Sequence, residues 1–324
     1  MAALVSGKTR GKAPRRRARQ IAAALVSISL LAGCTSLPKG ELQALGTEVA
    51  QDKIDFAPLG VNAKRAKAAY ASPAQIRTAY PKTIRVATPG GRDVQYFIER
   101  DDKAQVQYIS VRGTMDDTTL KEDFEAKVRD DRATNIPVHT GFDQDARAVW
   151  KDAQPYLKKG YQTYIVGHSL GGAVAAILGI YMFEDGYKVA KIYTYGQPRF
   201  TTSAGVAKLG FLPLMRVVDE NDVVPLLPPD MVINKAYGPY QQVGPEVIVL
   251  EGPNYVYLPS QTASDLSLGE FWRDMNVANL KDHKLDNYIR RLDEKLAGSH
   301  AVAYNARENY AAKQKTVAAL KSRQ

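Results

Sequence analysis

A serine between two glycines is the group in this 324-residue sequence that most directly suggests chemistry. Gly167, Ser169 and Gly171 form the pattern G-x-S-x-G, which places a serine hydroxyl on a sharp turn where it can act as a nucleophile. The glycines remove side chains that would clash in such a turn. A serine hydroxyl is a weak nucleophile at neutral pH, so this chemistry also requires a histidine base and a carboxylate that orients it.

The segments around this serine have the composition of a strand followed by a helix. Tyr161–Val166 is rich in β-formers, and an apolar stretch, Leu170–Phe183, follows the serine. Further strands are predicted at Thr83–Thr88, Asp93–Glu99, Gln105–Val111, Val189–Tyr195 and Leu214–Val218, and further helices at Ala63–Tyr70 and Phe142–Leu157. Strands that alternate with helices predict an α/β fold, in which a mostly parallel sheet carries helices on both faces.

Five segments resemble, in the same order, the motifs of the class 3 lipases, the fungal-type triacylglycerol lipases. They are Val111–Thr114, Val138–Phe142, Val166–Ala173, Tyr195–Arg199 and Asn221–Pro229. The resemblance covers about residues 85 to 290. It implies an α/β-hydrolase fold and the hydrolysis of carboxylic esters of the acylglycerol type through an acyl-enzyme on Ser169. It implies no metal ion and no organic cofactor.

The base is sought among four histidines, because α/β-hydrolases place the acid and then the histidine after the serine. His139 precedes the serine, and the side chain of His168 would point away from the neighbouring hydroxyl. His283 is therefore the predicted base, and its segment resembles the family pattern His-x-x-x-x-Tyr. His300, in a basic tail, is the alternative.

The predicted acid is Asp222, which follows the strand Leu214–Val218 and precedes Val-Val-Pro. Asp219 and Glu220 are the local alternatives. Two backbone N–H groups are predicted to bind the oxyanion, that of Leu170 after the nucleophile and that of Thr114 in the Arg-Gly-Thr segment.

The N-terminus has the layout of an export signal. Residues 1–33 contain seven basic residues and no acidic one, and the uncharged run Ile21–Gly33 is too short to span a bilayer. Leu31-Ala32-Gly33-Cys34 resembles the bacterial lipobox, which implies that Cys34 receives a diacylglyceryl group and becomes the mature N-terminus. An ordinary secretory signal and twin-arginine export are the alternatives.

This layout predicts a lipid-anchored protein of the bacterial cell envelope. The absence of Asp at position 35 resembles outer-membrane sorting, so the outer membrane is favoured over the inner one. Cys34 is the sole cysteine, which excludes an intramolecular disulfide and a cysteine-cluster metal site. No metal site is expected.

The net charge of +10 comes mainly from the two ends of the chain. The residues between Cys34 and Ala297 are close to neutral and lack the concentrated basic composition that phosphate binding requires, which argues against a nucleic-acid partner. The expected partners are a lipid or small ester substrate and, through the anchor, a membrane. A monomer is expected.

Four regions are predicted: a lipoprotein signal peptide (1–33), a tether with a short helix (34–82), the lipase-like domain (83–297) and a basic helical tail (298–324). The tail either rests on an anionic membrane surface or is a solvated helix.

In class 3 lipases, the segment after the oxyanion residue forms a lid whose underside is apolar. In this sequence the corresponding segment is Met115–Pro137. Here it is rich in charge, which predicts weak interfacial activation and a preference for soluble or phospholipid esters over bulk triglyceride.

Two rival functions stay open. One is a phospholipase A that acts on membrane phospholipids. The other is a non-catalytic envelope lipoprotein that uses the hydrolase fold as a binding scaffold. The combination of serine, aspartate, histidine and an oxyanion segment argues against a scaffold, which has no need of all four.

Overall fold

The computed structural model describes residues 53–115, 128–130, 134–228, 233–260, 263 and 281–310. The helices in these ranges are α1 (Phe56–Ala68), α2 (Pro73–Ala79), α3 (Thr140–Ala153), α4 (Leu170–Glu184), α5 (Ser203–Val206) and α6 (Leu285–Leu296), with short 3₁₀ turns at Gln154–Tyr156, Val224–Leu226 and Tyr304–Ala306. The strands are β1 (Thr83–Ala87), β2 (Tyr96–Asp101), β3 (Val106–Val111), β4 (Val128–Asp130), β5 (Pro137–His139), β6 (Gln162–His168), β7 (Lys188–Tyr195), β8 (Thr201–Thr202), β9 (Leu214–Asp219), β10 (Ile233–Asn234), β11 (Gly238–Gln241), β12 (Glu246–Val249), β13 (Asn254–Leu258) and β14 (His300–Ala301).

Nine of the described strands form one sheet in the order β1-β2-β3-β6-β7-β9-β12-β13-β14. Its centre is parallel, because β3, β6, β7, β9 and β12 pair side by side in the same direction. Strands β1 and β2 pair antiparallel at one end. The carboxyl ends of the parallel strands meet at one edge, where Ser169 follows β6 and Asp222 follows β9. The predicted α/β fold with a mostly parallel sheet is confirmed.

Helices cover both faces of this sheet, as predicted. Helices α3 and α4 share one core with the side chains of one face, and α1 and α6 share a second core on the other face. Helix α4 is apolar all round, and every residue from Leu170 to Met182 is buried. A helix of this composition has no face for water, so it packs between the sheet and α3.

A second, smaller sheet joins five short strands in the order β10-β11-β8-β5-β4. Among the described helices, none combines the length and the apolar composition that crossing a bilayer would require.

The segment before the sheet is more helical than the predicted tether. Helix α1 begins at Phe56, where the Asp55 carboxylate accepts the Ala57 N–H at 3.0 Å. Helix α2 follows a capping box at Ser72, with Pro73 in its first turn. Residues 56–79 therefore contribute two helices that pack on the sheet.

The predicted basic helical tail begins as a strand. Strand β14 adds to the sheet beside β13, and Val302 and Tyr304 are buried in a small core with Val256. Burial of these apolar residues outweighs the helix-forming composition of the segment. The rest of the tail after Tyr310, the signal peptide with Cys34, and most of the predicted lid lie outside the described residues.

Packing of α1 can be measured through its first residue. Phe56 is 4% exposed and its ring lies 4.9 Å from that of Tyr255. Phe56→Ala should lower the free energy of unfolding by about 3–5 kcal/mol, because it leaves a cavity under the helix. Val61, on the same helix, is 52% exposed, so Val61→Ala should change that free energy by no more than about 0.5 kcal/mol. Urea denaturation compares the two; equal effects would show that α1 is not part of the core.

Candidate active site

Ser169 lies on a strained turn between β6 and α4. Its φ of 56° and ψ of −133° are rare for a residue with a side chain. The Ser169 N–H donates to the carbonyl oxygen of Tyr195 at 2.9 Å, which fixes the turn to the end of β7. Backbone of the neighbouring strand segment comes very close to this turn: a Cβ at Gly171 would lie 2.5 Å from the carbonyl oxygen of Val111. Glycine is therefore required at this position.

The end of β3 lies directly against this turn. A Cβ at Gly113 would lie 2.9 Å from the Cβ of Ser169 and 2.6 Å from the carbonyl oxygen of His168. Thr114 is the next residue, and Leu170 is the first residue of α4. Both predicted oxyanion donors therefore belong to segments that border Ser169. Their role in binding an oxyanion stays a prediction.

Asp222 and His283 are brought together by the fold. The Nδ1 atom of His283 lies 2.7 Å from Oδ2 of Asp222, and both side chains are buried. The same carboxylate accepts the Val224 N–H at 2.9 Å on Oδ1 and the Tyr288 hydroxyl on Oδ2. Because a carboxylate only accepts, Nδ1 of His283 carries the proton, and Nε2 is left with the lone pair that a general base uses.

The two atoms that would exchange a proton are both buried at this edge of the sheet. Oγ of Ser169 and Nε2 of His283 have no hydrogen-bond partner within the described part of the chain. Gly196 lies directly against the acid and the base: a Cβ at this position would be 2.7 Å from Oδ2 of Asp222 and 2.9 Å from Nδ1 of His283. Bonds between nucleophile and base commonly tighten only when a substrate is bound.

The two alternative acids, Asp219 and Glu220, lie beside an arginine. Oδ2 of Asp219 lies 2.9 Å from Nε of Arg291, and Glu220 lies 3.8 Å from the same guanidinium. Burial raises the pKa of Asp219 to about 7, against the opposing effect of Arg291. The structure thus gives Asp222, and not these two carboxylates, the contact with the predicted base.

The other histidines are placed as follows. His139 is buried at the start of α3 and stacks on Phe142, with ring centroids 4.2 Å apart. His300 is exposed on β14, at the edge of the sheet. His168 is buried, and its ring stacks on that of His283 at 4.6 Å. Burial, and next the proximity of His283, hold the pKa of His168 well below 6.5, so it is neutral at neutral pH.

Sequence reasoning missed two of these contacts. Tyr288 was part of the pattern His-x-x-x-x-Tyr, but that spacing did not reveal that its hydroxyl binds Asp222. Burial and the Asp222 charge raise the pKa of Tyr288 well above 10, so it remains a donor. The stacking of His168 on His283 joins residues 115 positions apart, and no local pattern indicates it. In the described ranges, no group of three His, Cys, Asp or Glu residues is placed to hold a metal ion.

Comparisons with known proteins find similarity to lipases. The sequence profile described as Lipase (class 3) matches residues 108–232, a range that includes Thr114, Ser169 and Asp222. A lipase of Rhizopus niveus is 28% identical over 161 residues, 46% of this chain and 41% of the relative. The secreted mono- and diacylglycerol lipase 1 of Fusarium solani is 30% identical over 172 residues, 48% of each chain. The chain thus matches less than half the length of these relatives.

Solved structures extend the likeness over more of the chain. The Lip2 lipase of Yarrowia lipolytica covers 73% of this chain with a TM-score of 0.56 and 21% identity, and 95% of that lipase is covered. A triacylglycerol lipase whose catalytic centre is formed by a serine protease triad covers 63% with a TM-score of 0.53 and 21% identity, and 83% of it is covered. At these identities the likeness shows the fold. Residues 108–232 are thus similar to the class 3 lipase family, and they lie in a chain with the α/β fold of these lipases.

Proposed function

We propose that this protein is a serine-dependent hydrolase of carboxylic esters, of the triacylglycerol lipase type. The observation that carries the proposal is the buried contact between Asp222 and His283 at the sheet edge where the strained turn presents Ser169. A scaffold protein would gain nothing from the backbone strain at Ser169 or from a buried carboxylate aimed at a histidine. The class 3 lipase match supports an ester as the substrate.

Acylation starts with Oγ of Ser169, which attacks the ester carbonyl carbon while Nε2 of His283 takes the hydroxyl proton. Asp222 stabilises the imidazolium through Nδ1. The N–H groups of Leu170 and Thr114 bind the negative oxygen of the tetrahedral intermediate, and each such donor is worth roughly 10²–10³ in rate. The intermediate collapses as Nε2 returns its proton to the leaving alcohol, which leaves an acyl group on Ser169.

Deacylation repeats these steps with water. Nε2 of His283 takes a proton from a water molecule, whose oxygen attacks the acyl carbon. The second tetrahedral intermediate expels Oγ of Ser169, which recovers its proton from the imidazolium. One ester and one water thus give one carboxylic acid and one alcohol, without a cofactor.

Acylglycerols are the proposed substrate class. The relative from Fusarium solani is named a mono- and diacylglycerol lipase and shares 30% identity over the matched half of the chain. A phospholipase A would act on the same bonds with a charged head group attached. The comparison of dioctanoylglycerol with dioctanoylphosphatidylcholine separates the two: higher kcat/KM on the glyceride supports the proposal, and higher kcat/KM on the phospholipid contradicts it.

The direct test is the loss of ester hydrolysis in a nucleophile variant. Ser169→Ala should lower kcat on p-nitrophenyl butyrate by at least about 10³-fold, because it removes the hydroxyl that is proposed to carry the acyl group. Ser203→Ala makes the same substitution outside the site and should keep kcat within about twofold. Unchanged turnover in Ser169→Ala would refute the proposed function.

Gly196 provides a second prediction with a matched control. Its φ is +56°, and an added Cβ would collide with Asp222 and His283. Gly196→Ala should therefore lower kcat by about 100-fold or more, since displacement of the base by about 1 Å is enough for such a loss. Gly186 has a φ of +77° with no atom within 4 Å of an added Cβ, so Gly186→Ala has the backbone cost alone. Similar losses of kcat in both variants would contradict the account.

The export signal supports a second proposal, on location. We propose that Cys34 carries a lipid anchor and that the protein is attached to the bacterial cell envelope, at the outer membrane rather than the inner one. The support is the basic stretch before Ile21, the short apolar run to Gly33 and the lipobox-like Leu-Ala-Gly-Cys. Under this proposal the hydrolase domain lies outside the cytoplasm.

Metabolic labelling with an alkyne fatty acid tests the anchor in bacterial cells. Wild type should carry the label and sediment with the outer-membrane fraction, whereas Cys34→Ser should lose the label. Thr35→Ser changes the next residue and keeps the thiol, so it should be labelled as wild type is. Label that persists in Cys34→Ser would refute the assignment.

A further inference from the structure

A chain of hydrogen bonds runs beneath the proposed active site through groups that take no part in acyl transfer. The Gly113 N–H donates to the Tyr70 hydroxyl at 3.0 Å, and that hydroxyl lies 2.7 Å from Nδ1 of His168. Nε2 of His168 lies 2.8 Å from the backbone carbonyl oxygen of His283. Four segments that are distant in sequence are thereby connected: the residues after α1, the end of β3, the end of β6 and the segment before α6.

The direction of each bond follows from the number of protons available. The carbonyl oxygen of His283 can only accept, so the one proton of the neutral His168 imidazole lies on Nε2, which donates to it. Nδ1 of His168 therefore accepts, and the Tyr70 hydroxyl, whose oxygen accepts the Gly113 N–H, donates its proton to Nδ1. The lowered pKa of His168 and the raised pKa of Tyr70, both caused mainly by burial, keep the two groups neutral. Every donor in the chain therefore has an acceptor.

From this chain we infer that Tyr70 and His168 are positioning residues for ester hydrolysis, which fix the oxyanion segment and the backbone of the base relative to each other. The inference rests on the proposed function. Gly113 immediately precedes Thr114, a proposed oxyanion donor, and His168 immediately precedes Ser169. The stacking of His168 on His283 at 4.6 Å supports the same imidazole from the side.

The hydrogen-bond chain would fix the distance between two groups whose relative position strongly affects the rate. The N–H of Thr114 and Nε2 of His283 must reach the same intermediate, although they belong to segments that do not pair in the sheet. A displacement of about 1 Å in either group can cost about 10²-fold in rate. Tyr70 directly follows α1, so the packing of this helix on the sheet also fixes the position of the tyrosine in the hydrogen-bond chain.

Two variants break the chain at different bonds. Tyr70→Phe removes the hydroxyl that joins Gly113 to His168. His168→Asn keeps an acceptor near the position of Nδ1 but is too short to reach the carbonyl oxygen of His283. Each should lower kcat on p-nitrophenyl butyrate by about 10-fold or more and leave KM within about twofold. The double variant should be no more than about twofold worse than the poorer single variant, because the bonds act as one unit.

Tyr96→Phe is the matched control. Its hydroxyl donates to Oδ2 of Asp152 at 2.6 Å, and the residue is buried on the opposite face of the sheet. This variant loses a buried tyrosine hydroxyl without touching the chain, so its kcat should stay within about twofold. All rates are taken well below each melting temperature and normalised to the Ser169 that a fluorophosphonate titrates, which removes differences in the folded fraction.

The outcomes separate this inference from the proposed function. Ser169-dependent turnover that Tyr70→Phe and His168→Asn leave unchanged would overturn the inference alone. So would losses that multiply in the double variant, or an equal loss of kcat in Tyr96→Phe. Turnover that is the same in wild type and Ser169→Ala would refute the proposed function, and the inference with it.

Discussion

Backbone contact at the end of β6 is the constraint on which the rest of the site depends. Ser169 has a left-handed φ, and it is held there because the end of β3 and the carbonyl oxygen of Tyr195 approach the turn without side chains in between. Gly113 and Gly171 make this approach possible, since a Cβ at either would lie 2.5 to 2.9 Å from its neighbours. The parallel sheet brings these backbone segments together because its neighbouring strands end at the same edge.

The acid and the base are held by polar contacts instead. A buried carboxylate is costly unless it is hydrogen-bonded, and Asp222 accepts from His283, the Val224 N–H and Tyr288. Tyr288 belongs to α6, which packs on the sheet beside α1. Helices α1 and α6 therefore both support the proposed site, α1 through Tyr70, which follows it, and α6 through the Tyr288 hydroxyl on the Asp222 carboxylate.

Much of this arrangement is predictable from the sequence, and the reasons differ between its parts. The strand-turn-helix pattern around Ser169 and the order of serine, acid and histidine are local or ordinal signals, so composition and spacing reveal them. Helix α1 was underestimated because small residues such as Ala63 and Ala66 bury it without a strong apolar period. The contacts of Tyr70 and His168 join segments far apart in sequence, and only the folded structure brings them together.

A crystal structure of the protein after reaction with a phosphonate ester tests the central claim most directly, because the adduct resembles the tetrahedral intermediate. The account predicts phosphorus bonded to Oγ of Ser169, with its charged oxygen about 2.7–3.1 Å from the N–H groups of Leu170 and Thr114. Nε2 of His283 should lie within hydrogen-bond distance of the leaving-group side. Phosphorus on another residue, or an oxygen directed away from both N–H groups, would contradict it.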